Sequence, residues 1–123
     1  MTKRIIAAME NPNVDIIAHP TGRLLGKRDP YDVDMEQLME TAKRTGTILE
    51  LNSFPDRLDL NDIHCKMAKE YGVLVAISTD AHDALQMRDV IRYGVATARR
   101  GWLEAKDVVN TKGLEDLRKV LKG

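Results

Sequence analysis

VLVAISTDAHD, residues 73 to 83, is an apolar run that ends in an aspartate, a histidine and a second aspartate. The run predicts a strand covered on both faces, because strands of that kind stay apolar almost throughout. The polar residues then fall just past its carboxyl end. Asp and Ser favour turns by bonding their own backbone, which would make the stretch a solvated turn. Asp80 and His82, two residues apart, are also a recurring way of presenting a hard oxygen and a borderline nitrogen to metal ions. What the other strands bring to the same edge decides between the two readings.

Two further β-branched segments read as strands, VDIIA at 14 to 18 and TILEL at 47 to 51. Between them Met35, Leu38, Met39 and Ala42 recur at helical spacing, with Asp34 to cap the start and Gly46 to end it. Before the third strand, Leu60, Ile63, Met67 and Tyr71 mark a second helix that stops at Gly72. After it, Met87, Val90, Ile91, Val95 and Ala98 form an apolar stripe, with Gly94 expected to bend or divide that helix. Thr2 to Met9 and Leu114 to Leu121 read as terminal helices. The resulting order, α, β, α, β, α, β, α, α, predicts an α/β fold of three parallel strands with flanking helices, joined by right-handed crossovers. Such an arrangement is a small open sheet or a segment of a (β/α) barrel.

Parallel strands place their carboxyl ends on one side, where the following loops build the site. The first strand delivers His19 and then Arg23. The second runs through Glu50 to Asn52 and Ser53, with Arg57 beyond. The third delivers Ser78, Asp80, His82 and Asp83. Two of the chain's three histidines converge there with an aspartate, which favours a site over a solvated turn. Arg23 and Arg57 are candidates to hold a phosphate oxygen bidentately. Glu50 is able to act as ligand or base, or to orient neighbours, and is read with Asn52 as a support for the ligands. His64 and Cys65, inside the second helix, read as structural, and Ala98 to Arg100 as a solvated helix face.

Bulk properties narrow the class. The 123 residues are one domain's worth, and a compact fold of that size buries roughly two-thirds of its unfolded surface. With 19 basic and 19 acidic residues, composition alone gives no argument for nucleic acid or an anionic membrane. One cysteine excludes an internal disulfide and suits a reducing compartment. Without a membrane-length apolar run or a signal-peptide core, the chain reads as soluble and cytoplasmic.

IIAHPTGRLLGKRDPYDVD (16 to 34), LELNSFPDRLDLNDIHCKMAKEYGV (49 to 73), ISTDAH (77 to 82) and ARRGWL (98 to 103) closely resemble the carboxyl-terminal part of the PHP domain attached to bacterial and archaeal family X DNA polymerases. HP and DAH indicate the broader PHP superfamily, which includes histidinol phosphatases. GRLLGKRDPY, PDRLDLND and ARRGWL point to the polymerase-linked branch. The resemblance implies the carboxyl-terminal units of a distorted seven-stranded (β/α) barrel, spanning residues 1 to 123. It implies a metal-dependent phosphoesterase that processes DNA 3′ ends with a cluster of manganese or zinc ions. His19 matches the HP ligand, and Asp80 and His82 match the D-x-H ligands; the cations would activate a water as nucleophile. The family's early H-x-H motif, further histidines, bridging glutamate and polymerase domain have no counterpart in these residues. We therefore expect weak or no specific metal binding and no appreciable catalysis by this chain alone. Its expected partners are DNA and the rest of a polymerase chain. A three-stranded remnant should also expose a sheet edge and part of an apolar face, so self-association or a rearranged sheet is expected. The alternatives are a phosphatase of a small ester such as histidinol phosphate, and a non-catalytic scaffold.

Overall fold

The computed structural model describes residues 1 to 123. Five helices and three strands follow the predicted order: α1 (Thr2–Glu10), β1 (Ile16–Ile17), α2 (Met35–Thr45), β2 (Ile48–Asn52), α3 (Asp62–Tyr71), β3 (Val75–Ser78), α4 (Ala84–Arg100) and α5 (Leu114–Val120). Two short 3₁₀ turns, Ala105–Asp107 and Val109–Thr111, lie between α4 and α5. The sheet order is β1-β2-β3, all parallel, with Ile16 opposite Ile48, Leu49 opposite Val75 and Asn52 opposite Ser78. No helix is long and apolar enough to cross a membrane.

The three predicted caps, Asp34, Gly46 and Gly72, form, and Asn61 adds a fourth. The Asp34 side chain accepts from the Gln37 N–H and the Asn61 side chain from the His64 N–H, while Gly46 and Gly72 end their helices at φ 75, where a Cβ would be strained. Leu38, Met39 and Ala42 of α2 pack with Leu49, Leu51 and Val75 of the sheet into the main core.

Three expectations about packing change. All five residues of β2 are buried, whereas Ala76, Ile77 and Ser78 of β3 are half-buried. The strand covered on both faces is therefore the central β2, and β3 is apolar at an edge. The helical stripes also shift toward small residues. Ile63 is 68% exposed and Met87 53%, while α3 buries Cys65 and Ala68 and α4 buries Val90, Gly94, Thr97 and Ala98. Close approach explains the choice. A Cβ on Gly94 would lie 1.9 Å from Ser53 Oγ, and one on Gly101 would lie 2.5 Å from Cys65 Cβ. Gly94 thus leaves α4 continuous, and its lack of a side chain lets the helix lie against the end of β2. Burial pushes the Cys65 thiol up to about 12, so it packs as an inert apolar group.

The outer edge of β3 is closed without a fourth strand. The Asn110 side-chain amide accepts from the Ile77 N–H and donates to the Ile77 C=O, both at 2.8 Å, and Val108 bridges Val75 in parallel. In a parallel ladder alternate residues face alternate neighbours, so these contacts occupy the outward-facing residues of β3. This edge is therefore capped, and the two-residue β1 forms the other edge of the sheet.

Candidate metal-binding rim

His19 follows β1, Asn52 ends β2, and Asp80 lies two residues past β3. The Asn52 side chain ties them together. Its Oδ1 accepts from the Phe54 N–H at 2.9 Å, which fixes the amide orientation. Its Nδ2 then donates to Asp80 Oδ2 at 2.6 Å and lies 3.5 Å from His19 Nδ1. Asn52 is fully buried, so this junction is held from within the sheet.

Glu50, 8% exposed on the central strand, spans the three strand ends. Its Oε1 accepts from the His19 N–H at 3.1 Å and lies 3.3 Å from His19 Nδ1, while Oε2 accepts from Ser78 Oγ at 2.7 Å. The carboxylate thus holds the His19 main chain and lies beside its ring, as a carboxylate that positions a metal-binding imidazole does. His19 and Asp80 are also held at φ 42 and φ 53, in the left-handed region, so each redirects the chain where its strand ends.

His82 is exposed and lines a cleft of about 230 Å³ with Leu24, Phe54, Asp56, Arg57 and Asp80. Arg57 also borders a neighbouring cleft of about 350 Å³ that contains His19. Its Nη1 is buried with no hydrogen-bond partner. Arg23 is differently placed. Its Nε donates to the Arg57 carbonyl at 2.8 Å and its Nη2 to the Leu58 carbonyl, so its fork braces the loop after β2. Asp83 accepts from the Gln86 N–H at 2.7 Å and is the N-cap of α4, which answers for the second aspartate of the motif.

Asp59 is the residue that pattern reading passed over. It is fully buried, and its carboxylate accepts from the Thr21 N–H at 3.0 Å and the Gly22 N–H at 2.9 Å. Burial raises its pKa, against the lowering effect of these bonds and of Arg23. Its backbone carbonyl accepts from Asn52 N–H at 2.6 Å. PDRLDLND thus folds over the end of β2 and clamps the loop that follows His19. Leu58 and Leu60 flanking the carboxylate were the available signal for burial. His64 is half-buried beside Asp59; its pKa is lowered, chiefly by burial, and its Nδ1 has no partner.

The donor types, imidazole nitrogen and carboxylate oxygen, suit zinc or manganese. In number they fall short: no group of three or more His, Cys, Asp or Glu side chains is placed to hold an ion.

No family model matches the chain. It is 50% identical over 120 residues, 98% of its length, to the DNA polymerase/3′-5′ exonuclease PolX of Bacillus subtilis (strain 168). It is 39% identical over 87 residues to a protein named as a probable phosphatase of Thermoanaerobacter sp. (strain X514), and 32% identical over 87 residues to another of Clostridium acetobutylicum. The chain spans 21% of the Bacillus protein and 33% of each phosphatase. The resemblance that HP, PDRLDLND, DAH and ARRGWL carry thus holds along nearly the whole chain, which is similar to a segment of a polymerase of the PHP-linked family X.

Proposed function

We propose that this chain supplies one side of a metal-dependent phosphoesterase centre that processes DNA 3′ ends, within a protein of the polymerase-linked PHP type. The observation that carries the reading is the convergence of His19 and Asp80 on Asn52, with Glu50 accepting from both the His19 N–H and the Ser78 hydroxyl. In this reading the strands are the last units of a seven-stranded (β/α) barrel. His19, Asp80 and His82 are its ligands to manganese or zinc. When bound, such cations supply a Lewis-acidic, charge-neutralising centre for phosphoester hydrolysis.

The chain's own residues have separate tasks. Glu50 holds the His19 main chain in place. Asn52 fixes the Asp80 carboxylate. Arg57, which borders both clefts, would hold a phosphate oxygen of the substrate. Arg23 keeps the Arg57 loop in place. Tight sites need three or four deprotonated ligands converging on each ion. By itself the chain is therefore expected to bind zinc or manganese weakly and to hydrolyse nothing appreciably. Its partners would be DNA and the remainder of a polymerase chain, in a reducing cytoplasm that suits the free Cys65.

A second reading, hydrolysis of a small phosphate monoester, is favoured by the probable phosphatases that align with 66% of the chain. One chimera tests both. This chain replaces the homologous segment of the Bacillus protein, with retained polymerase activity as the folding control. Release of nucleotide from a DNA 3′ end that disappears in Asp80→Ala supports the first reading. Hydrolysis of p-nitrophenyl phosphate alone supports the second. A folded chimera that degrades DNA equally with and without Asp80 refutes the ligand assignment.

A further inference from the structure

Helix α4 departs from the electrostatic balance of the chain. Overall there are 19 basic and 19 acidic residues, yet α4 carries Arg88, Arg92, Arg99 and Arg100 against Asp89 alone. All four arginines are exposed, and none of the chain's ion pairs includes them. Arg88 and Arg92 stand four residues apart, where like charges repel and cost helix stability. At about 100° per residue, Arg88, Arg92 and Arg99 form a single ridge opposite the buried Val90, Gly94, Thr97 and Ala98. With about 1.5 Å of rise per residue they are spaced by roughly 6 Å and 10 Å along the axis.

A second, independent feature extends the ridge. Trp102 is 72% exposed and has φ 64, a left-handed backbone that a bulky side chain rarely adopts. The preceding Gly101 is buried against α3, where a Cβ would lie 2.7 Å from the Asp62 carbonyl oxygen as well as against Cys65. The chain is thus clamped at Gly101, and the indole is left in solvent one turn beyond Arg99. At the other end Arg88 borders a cleft of about 630 Å³ together with Ser78, Thr79 and Asp80. The ridge therefore begins at the rim that holds Asp80.

Guanidinium groups without carboxylate partners and an exposed aromatic face near them are the two components of sequence-tolerant single-strand binding: phosphates bind the arginines, and a base stacks on the ring; of the four, Arg92 donates to the neighbouring Tyr93 hydroxyl at 3.2 Å. We propose that the outward ridge of α4, from Arg88 to Trp102, is a track for single-stranded DNA. Its helical part, Arg88 to Arg100, runs about 18 Å along the axis, with Trp102 beyond its end. Its direction toward the rim rests on the phosphoesterase reading; the binding itself does not.

The test is fluorescence anisotropy of a labelled 20-nucleotide oligo(dT) with this chain, in EDTA and across a salt series, with circular dichroism of every variant as the folding control. Arg88→Glu/Arg92→Glu is compared with Lys3→Glu/Lys112→Glu, which changes the charge equally outside α4. The ridge variant should weaken binding at least tenfold more than the control variant. It should also flatten the slope of log K against log salt by about 1.4, two contacts at about 0.7 each. Trp102→Ala should weaken binding fivefold or more with the slope unchanged. No binding by the parent chain, equal losses in the two charge variants, or an unaffected Trp102→Ala each overturns the track. Displacement of the oligomer by phosphatidylserine vesicles, with ridge-dependent vesicle binding tighter than to DNA, would overturn it in favour of a membrane surface. Because EDTA removes divalent ions, failure here leaves the 3′-end activity of the chimera to be judged separately.

Discussion

Gly94→Ala separates two physical effects of opposite sign. Inside a helix, Ala is favoured over Gly by about 1 kcal/mol, so propensity alone predicts a more stable protein. The structure predicts the reverse. The new methyl would lie 1.9 Å from Ser53 Oγ, 2.9 Å from Ser53 Cβ and 2.9 Å from Ile77 Cγ2. Turning the Ser53 hydroxyl away relieves only the first contact. Ser53 is fully buried and its main-chain N–H donates to the Ser78 carbonyl at 2.7 Å, so α4 must move off the sheet. Overpacking of this kind costs about 1–3 kcal/mol, and three contacts below 3.0 Å place Gly94 toward the upper end. After the gain in propensity, the net destabilisation is about 1–2 kcal/mol. Urea unfolding followed by circular dichroism should show a midpoint lowered by roughly 0.5–1 M with unchanged slope. Ser53→Gly in the same chain should recover part of the loss, since it removes two of the three clashing atoms. A midpoint for Gly94→Ala at or above that of the parent would refute the packing argument.

Asp59→Ala should cost about 2–4 kcal/mol in the same assay, because it leaves the buried Thr21 and Gly22 N–H groups without an acceptor. Burial raises the folded-state pKa of Asp59 above its ordinary 3.8, so the folded state binds the proton more tightly. Its contribution is therefore most favourable below pH 3.8 and declines as pH rises through the raised value; Asp59→Asn should abolish that decline, and an identical pH profile would contradict it. Glu50→Ala should cost about 1.5–3 kcal/mol in urea unfolding, because it removes the charged acceptor of the His19 N–H and the Ser78 hydroxyl; an unchanged midpoint would remove Glu50 as a brace of the rim. Asn110→Ala should cost about 1 kcal/mol and expose the outer edge of β3, so sedimentation velocity should detect more concentration-dependent association than in the parent; a variant that stays as monodisperse as the parent would show that the edge is protected by something else.

The order of elements was legible because periodicity and caps agree locally, Asp34, Gly46 and Gly72 bounding helices where the apolar pattern does, whereas the sequence left the sheet order open. Which apolar residues face inward was less legible. Hydrophobicity marks Ile63 and Met87 for the interior, but helices that approach within reach of Ser53 and Asp62 need Gly, Ala or Cys at the contact, and small size is not an apolar signal. The polar rim was readable because parallel topology assigns every strand end to one side. Whether an arginine at that rim is free or engaged was not readable, since Arg23 and Arg57 have equivalent sequence settings and differ only in the carbonyls that happen to lie within reach.

Backbone conformation adds what neither periodicity nor composition could supply. Left-handed residues are usually glycine, yet His19, Leu58, Asp80 and Trp102 all have positive φ without being glycine. Each such residue costs of order 1–3 kcal/mol when its side chain is unsuited to the region, less for Asp and His, and persists only where the surroundings hold it. The holding contacts are visible for at least three of them. Glu50 accepts the His19 N–H, Asn52 binds the Asp80 carboxylate, and Gly101 is wedged against α3 before Trp102. These four positions fall one in each of HP, PDRLDLND, DAH and ARRGWL, the elements on which the polymerase resemblance rests. A stability-driven sequence would place glycine or asparagine there. In the proposed readings His19 and Asp80 would present ligands from such positions and Trp102 a stacking face, whereas Leu58 supplies only its main-chain carbonyl to Arg23.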